Sequence, residues 1–330
     1  MSTDQWADEQ RVTFADIARE AGVSVPTVSK VLNGKPGVSP STRRRVSNLL
    51  QEHDYAPRRS NPRGMVELVL GELRSPWSAA LVSAMELAAS EDGSGLCISR
   101  AGGSAGWLDS VLERRSDGVV FAVVAVTAEQ RQRLRDSRRP FVLIDPGTTP
   151  IAGVPTIGVT NWQGAFVATE HLVSLGHRRL AMIAGPTDML FSVARADGFR
   201  AAAAAADLPA PEVVHTEFGY EAGRDAAVRL LAGAERPSAI FTASDEQAMG
   251  VYEAARRAKL RIPEDLSVVG FNDVDFARWA APPLTTVREP IHDIARQAIS
   301  ALRALASDDR VPAVELMTQL VVRESTAAFK

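Results

Sequence analysis

Lys30 closes the stretch Ser24-Val25-Pro26-Thr27-Val28-Ser29-Lys30, and its ammonium can donate to the acceptors guanine shows in the DNA major groove. Val25 and Pro26, about one helical turn earlier, offer only apolar contact, of the kind a thymine methyl accepts. These are the candidate base-reading residues. Thr13, Ser24, Ser29, Asn33, Thr42 and Tyr55 carry groups that suit phosphate oxygens, which orient a protein on a duplex without reading its sequence.

Such chemistry needs a short helix that presents one face to a groove. Thr13 with Asp16 marks a helix start in the manner of a capping box, and Ile17, Ala18 and Ala21 follow at helical spacing. Gly22 permits a tight turn, and Ser24 can cap a second helix whose inner face is Val28, Val31 and Leu32. After the polar loop Asn33-Gly34-Lys35-Pro36-Gly37, Ser39 followed by Pro40 opens a third helix with the stripe Val46, Leu49 and Leu50. Three short helices with a three-residue turn between the first two read as a helix-turn-helix, whose second helix enters the major groove. The alternative is a three-helix protein-interaction module with solvated Arg and Lys.

Charge separates the two parts of the chain. Residues 1–63 carry ten Lys/Arg against seven Asp/Glu, a balance of +3 in a chain of net −3, which leaves −6 for the remainder. From Arg11 to Arg63 alone the balance is +6. A basic head on an acidic body assigns polyanion binding to the head.

The 330 residues suit two or three domains. Apolar runs such as Val119 to Val126 fall well short of the ~20 residues that span a bilayer, and the polar start MSTDQWADEQ does not read as a secretion signal. Cys97 is the only cysteine, which excludes an internal disulfide and suits a reducing compartment. It reads as a small buried apolar residue on a strand. A cytoplasmic protein without membrane contact is expected. His171 and His177 fall in a helix and its C-terminal turn, with no second pair to complete a metal site, so no metal and no cofactor are expected.

From Val66 onward short apolar runs alternate with helical patterns. Strands are expected at Val66–Leu70, Gly95–Ser99, Gly118–Val124, Phe141–Asp145, Leu180–Ala184, Val213–Thr216, Ala239–Thr242 and Ser267–Phe271. Helices fall at Ala79–Ala89, Gly164–Leu175, Arg195–Ala206, Ala222–Leu231 and Glu246–Ala258. This alternation implies parallel sheets flanked by helices, and two such subdomains across a cleft make a hinged ligand clamp. No phosphate loop, GxGxxG, HExxH or GxSxG stands at a strand-to-helix junction, and the Ala101-Gly102-Gly103-Ser104 run is a loop in the wrong context for phosphate. Catalysis is not expected.

The stretch VTFADIAREAGVSVPTVSKVLNGKPGVSPSTRRRVSNLLQEHDYAP resembles the head of the lactose-repressor (LacI) family over its whole length, through DIAxxAGVS, TVSKVLN and VSxxTRxxV. EHLVSLGHRRLAMIAGP, SVARADGF, IPEDLSVVGFND and PPLTTVREP are similar to that family's effector domain, itself related to periplasmic sugar-binding proteins. The resemblance implies an all-α helix-turn-helix head plus an α/β periplasmic-binding-protein-like effector domain of two parallel-sheet subdomains. The implied division is a leading segment 1–10, a DNA-binding domain 11–57, a basic linker 58–65 and an effector-binding and dimerisation domain 66–330. The N-subdomain would comprise about 66–159 and 289–318, and the C-subdomain about 160–288 and 319–330.

The linker departs from the family pattern. Tyr55-Ala56-Pro57 is followed by RRSNPRGM, which lacks the expected Ala-Arg-x-x-Leu element and contains Pro62. Proline inside a helix costs ~3 kcal/mol, so the usual minor-groove hinge helix is not expected. Arg58, Arg59 and Arg63 then have two readings: an extended arm in a narrow A·T minor groove, or a solvated linker adding only nonspecific attraction.

Ligand groups in such a clamp belong at the carboxyl ends of strands. Arg195, within SVARADGF, matches the family arginine that binds effector hydroxyl or carboxylate groups, its alternative being a surface helix residue. Asn272 stands where the family usually has aspartate, and its amide can pair with a diol or cap its own turn. Asp145, ending its strand, is a candidate hydroxyl acceptor or turn cap, and Trp77, Trp162 and Phe218 offer flat apolar faces for a sugar ring or base, or for the core or a subunit interface. The resemblance implies a repressor that binds pseudo-palindromic double-stranded operator DNA as a homodimer, without the family's tetramer-forming heptad tail, under a small-molecule effector. A mono- or disaccharide is the default effector and a purine or nucleoside the alternative. A secreted solute-binding protein, or a sugar-modifying enzyme fused to a DNA head, are the readings from other classes.

Overall fold

The computed structural model describes residues 14–32, 37–53, 64–102, 106–147, 153–233, 235–307 and 309–329. It divides into two units, Met1–Pro62 and Arg63–Lys330.

Among the described residues, the first unit holds three helices, α1 (Phe14–Ala21), α2 (Val25–Leu32) and α3 (Pro40–Glu52). Gly22 adopts φ 61 in the turn between α1 and α2, a left-handed backbone that glycine enters without a Cβ clash. Ser39 accepts a hydrogen bond from the Thr42 amide at 3.2 Å, capping α3 just before Pro40 at its first position. Ile17, Ala18, Ala21, Val28, Val31, Val46 and Leu50 meet in one small core, with Val23, Val38 and Leu49 packed against it. Burial at ~25 cal/mol per Å² of apolar surface makes this core the main source of the head's stability. A His53–Glu20 bond of 2.7 Å also ties the end of α3 to α1.

The second unit is doubly wound twice. Its first sheet runs in the order β11-β5-β4-β3-β1-β2, from β1 (Met65–Leu70), β2 (Gly95–Arg100), β3 (Ser116–Ala122), β4 (Phe141–Ile144), β5 (Thr156–Val159) and β11 (Val314–Leu316), all parallel. The second runs β12-β10-β9-β8-β6-β7, from β6 (Leu180–Ala184), β7 (Glu212–His215), β8 (Ala239–Thr242), β9 (Ser267–Asn272), β10 (Thr285–Arg288) and β12 (Gln319–Val321). It is parallel except for β12, which pairs antiparallel to β10. Strands such as FVLI and LAMIA are buried along their whole length because helices cover both faces.

In the first lobe α4 (Pro76–Asp92) and α11 (Ile291–Ala306) pack on one face of the sheet, and α5 (Trp107–Glu113) and α6 (Ala128–Asp136) on the other. In the second, α7 (Asn161–Ser174) and α8 (Leu190–Ala205) cover one face, and α9 (Tyr220–Ala232) and α10 (Asp245–Arg257) the other. Gly198 lets α8 approach α7, since a Cβ there would lie 2.2 Å from the Trp162 carbonyl oxygen.

The chain crosses between lobes after β5, after β10 and between β11 and β12. Two of these crossings are bonded to each other: the Thr318 amide donates to Thr160 Oγ1 at 2.9 Å, and the Thr160 amide to the Leu316 carbonyl at 3.0 Å. Among the described residues, no helix is long and apolar enough to cross a membrane.

Among the described residues, four strands (β5, β10, β11 and β12) and three helices (α5, α6 and α11) go beyond those singled out from the sequence. The strands are three or four residues long, too short for a periodic signal. In α6, AEQRQRLRD, only Leu134 is buried, so no apolar stripe announces it. Cys97 is half-buried rather than buried, because β2 is an edge strand.

Candidate functional site

Each sheet reverses its strand order at one point, between β1 and β3 in the first lobe and between β6 and β8 in the second. Carboxyl ends of parallel strands at such a switch point form a crevice, because the connections leave in opposite directions. Both crevices open on a shared cavity of about 620 Å³, lined by Leu70, Gly71, Ala122 and Val123 from one lobe and Phe218 and Ser244 from the other. Three non-glycine residues that line it hold left-handed backbones at the carboxyl ends of their strands: Val123 (φ 54) and Asp145 (φ 37) just past β3 and β4, and Asn272 (φ 113) as the last residue of β9. Such conformations cost of order 1–3 kcal/mol each and persist only where the surroundings hold them.

Arg195, in the second turn of α8, is the centre of the polar array. It is 4% exposed, yet every nitrogen of its guanidinium has an acceptor. Nε donates to Asn161 Oδ1 at 2.8 Å, Nη1 to the Ala243 carbonyl at 2.7 Å, and Nη2 to Glu289 Oε1 at 2.7 Å. Asn272 Oδ1 lies 3.4 Å from Nη1. The Phe271 ring sits 3.6 Å from the guanidinium carbon, a cation–π contact. The other oxygen of Glu289 accepts from Trp77 Nε1 at 2.7 Å. Glu289 follows β10 at the second crossing, so one carboxylate joins α4 of the first lobe, a crossing segment and α8 of the second.

Asp145, 8% exposed, stands at the end of β4 in the same cavity. Its pKa is pushed up to about 7, first by burial and then by the negative charge of Glu289, with Arg195, the Val159 amide and the Asn161 side chain opposing. Burial pulls the Arg195 pKa down, against the charges of Glu289 and Asp145.

The structure therefore brings Arg195, Asn272, Asp145, Trp77 and Phe218 to one cavity. Trp162 does not join them. It is 39% exposed and stacks on Phe166 at 5.0 Å, on the outer side of α7. One residue is a rotation of about 100° on a helix, so with Asn161 facing Arg195, Trp162 must face away. The sequence reading passed over Glu289, Asn161 and Phe191, which stacks on Phe218 with centroids 6.0 Å apart. A charged residue directly after a strand, as in Arg288-Glu289-Pro290, was the available signal for Glu289.

In the head, Val25 is 42% exposed, and Pro26 and Lys30 are also exposed, on the N-terminal part and outer face of α2. Ser24 is exposed with its hydroxyl 2.9 Å from that of Thr27, while Ser29 and Thr42 are half-buried. Thr13, Asn33, Tyr55, Arg58, Arg59 and Arg63 lie outside the described residues. His177 is buried between Ser238 and Ser267 hydroxyls at 2.9 and 3.0 Å, and burial lowers its pKa, as burial lowers that of His171. Among the described residues no group of His, Cys, Asp or Glu is arranged to hold a metal ion.

A helix-turn-helix unit followed by a two-lobed, doubly wound body with a polar cavity defines a DNA-binding regulator built on a periplasmic-binding-protein type of frame. Residues 13–58 match bacterial regulatory proteins of the lacI family, and residues 169–326 match the periplasmic binding protein-like domain. Catabolite control protein A of Priestia megaterium is 30% identical over 331 residues, covering 96% of this chain and 99% of that protein. The ribose operon repressor of Escherichia coli (strain K12) is 32% identical over 304 residues, covering 88% of this chain and 92% of that one. The solved transcriptional regulator CelR–cellobiose complex aligns with a TM-score of 0.73 and 32% identity, over 96% of this chain and 100% of that chain. The chain belongs to the lacI family of bacterial regulatory proteins. It is a transcription regulator.

Proposed function

We propose that the chain is a cytoplasmic repressor that binds a pseudo-palindromic operator as a homodimer, with its operator affinity set by a carbohydrate in the cavity between the lobes. Val25, Pro26 and Lys30 read bases; Thr13, Ser24, Ser29, Asn33, Thr42 and Tyr55 hold phosphates. Arg195, Asn272, Asp145, Trp77 and Phe218 receive the effector.

The observation that carries this reading is the Trp77–Glu289–Arg195 chain of bonds, because it couples both lobes to one buried polar centre. A ligand that displaces or extends those bonds contacts both lobes at once. Its differential affinity for the open and closed arrangements then shifts their populations, which is all that allosteric control requires. Apolar faces from Trp77 and Phe218 beside hydroxyl-seeking Asp145 and Asn272 suit a sugar, whose faces are apolar and whose rim is polar. Cellobiose is the ligand of the CelR complex.

A thermal-shift screen of mono- and disaccharides, with nucleosides as a second arm, tests this. A sugar that binds raises the melting temperature by mass action, since it stabilises the folded state by about 2.7 kcal/mol at a hundred times its Kd. A shift with nucleosides alone would replace the sugar reading by the purine or nucleoside one.

A further inference from the structure

The cavity is one-sided in charge. Among the described residues, the guanidinium at its inner end, Arg195, is matched by Glu289 at 2.7 Å, and its remaining nitrogens already donate to Asn161 and Ala243. Asp145 adds a second carboxyl to the same pocket, without a second cation. Among the described residues that line the mouth, Glu72, Glu217, Glu221 and Glu246 stand against Arg74, with Arg100 acting on Glu72 and Arg224 on Glu221 from outside the lining. Arg74 is exposed there, and its backbone amide donates to Glu72 at 2.7 Å. The mouth acids also act on one another: after burial, the charges of Glu72 and Glu221 raise the Glu246 pKa.

An anionic group entering this cavity meets carboxylates at the rim, and inside it finds a cation whose charge is already compensated. Low-dielectric walls lined by one sign focus the field along the entry path, so the effect reaches beyond direct contacts. We propose that the cavity selects its ligand by charge, admitting uncharged or amine-bearing polyols and rejecting sugar phosphates and sugar acids. This rests on the reading of the cavity as the effector site. It also narrows the role of Arg195, which serves a hydroxyl or ring oxygen and not a carboxylate.

Trp77 lines the cavity and reports on it directly. Its emission is obtained as the difference between wild type and Trp77→Phe, and is quenched by iodide, caesium and neutral acrylamide at constant ionic strength. Each quenching constant is normalised to that of N-acetyltryptophanamide. The expected result is iodide quenching at least about five times weaker than caesium quenching, as a negative field predicts. Neutralising the rim with Glu72→Gln, Glu217→Gln and Glu246→Gln together should restore most of the iodide quenching. Equal normalised constants for the two ions, or no change in the rim variant, would overturn the proposal. Should Trp77→Phe lose its fold by circular dichroism, Phe218→Trp places an added emitter on the same cavity and is read against wild type. Protection of Trp77 from acrylamide by a bound sugar reports separately on the effector reading, so a failure of that reading is told apart from a failure of charge selection.

Discussion

Arg195 and Glu289 form an ion pair of 2.7 Å with both side chains almost wholly removed from water. Breaking a buried pair by deleting one partner costs about 3–5 kcal/mol, because the other charge is left uncompensated. Arg195→Ala is therefore expected to lower the unfolding free energy of the body by about that amount in urea denaturation, and to abolish the effector response. Operator affinity of the folded protein without effector should stay at the wild-type value, since α2, the helix proposed to read bases, belongs to the other unit.

The acid groups of the body make its stability depend on pH. Folding raises the Asp145 pKa to about 7 and the Asp245 pKa to about 8, in both cases first through burial, from 3.8. A carboxyl with a raised native pKa binds its proton more tightly when folded than when unfolded. Its contribution is full below the unfolded pKa and is lost as pH rises toward the native one. At about 1.4 kcal/mol per unit, each group alone removes of order 4–6 kcal/mol across its window. Denaturation at about pH 5 and about pH 8.5 should show a smaller loss for Asp145→Asn and for Asp245→Asn than for wild type.

The two tryptophans of the sequence reading separate cleanly. Trp77→Phe leaves Glu289 Oε2 without its donor, and a buried unsatisfied acceptor costs about 1–3 kcal/mol. Effector affinity, measured by calorimetry, should fall about five- to 150-fold, the equivalent of that range. Trp162→Ala, on the outer side of α7, should leave it unchanged.

Much of the architecture was legible because it rests on local periodicity. Ile17, Ala18, Val28 and Val46 repeat at helical spacing and meet in one core, and runs such as Leu180–Ala184 are buried strands because they are apolar throughout. Arg195 and Asn272 were reached through motifs of the family. Glu289 was not, since its role arises from three elements far apart in the chain: Trp77 is 212 residues away and Arg195 is 94. Trp162 was misplaced because residue type says nothing of helix rotation; that depended on Asn161 taking the inward position. The short strands β11 and β12 depend on pairing with β5 and β10, far away in the chain, beside the crossing where Thr318 bonds to Thr160.

In the head, Lys30→Ala should relax base preference and not merely weaken binding. Loss of a good base contact changes discrimination at that position by about 1–3 kcal/mol, whereas loss of a phosphate contact weakens all sequences alike. Gel-shift titrations against single-base operator variants distinguish the two outcomes.

The most direct measurement takes an operator enriched from random duplex DNA and follows its affinity by fluorescence anisotropy while the thermal-shift ligand is added. The wild-type Kd should change by a factor of about 5–150, the range of allosteric coupling, and Trp77→Phe should match wild type without ligand but need more ligand for the same change. An operator affinity that ignores a ligand bound in the cavity, or a ligand response identical in wild type and Trp77→Phe, would contradict the account.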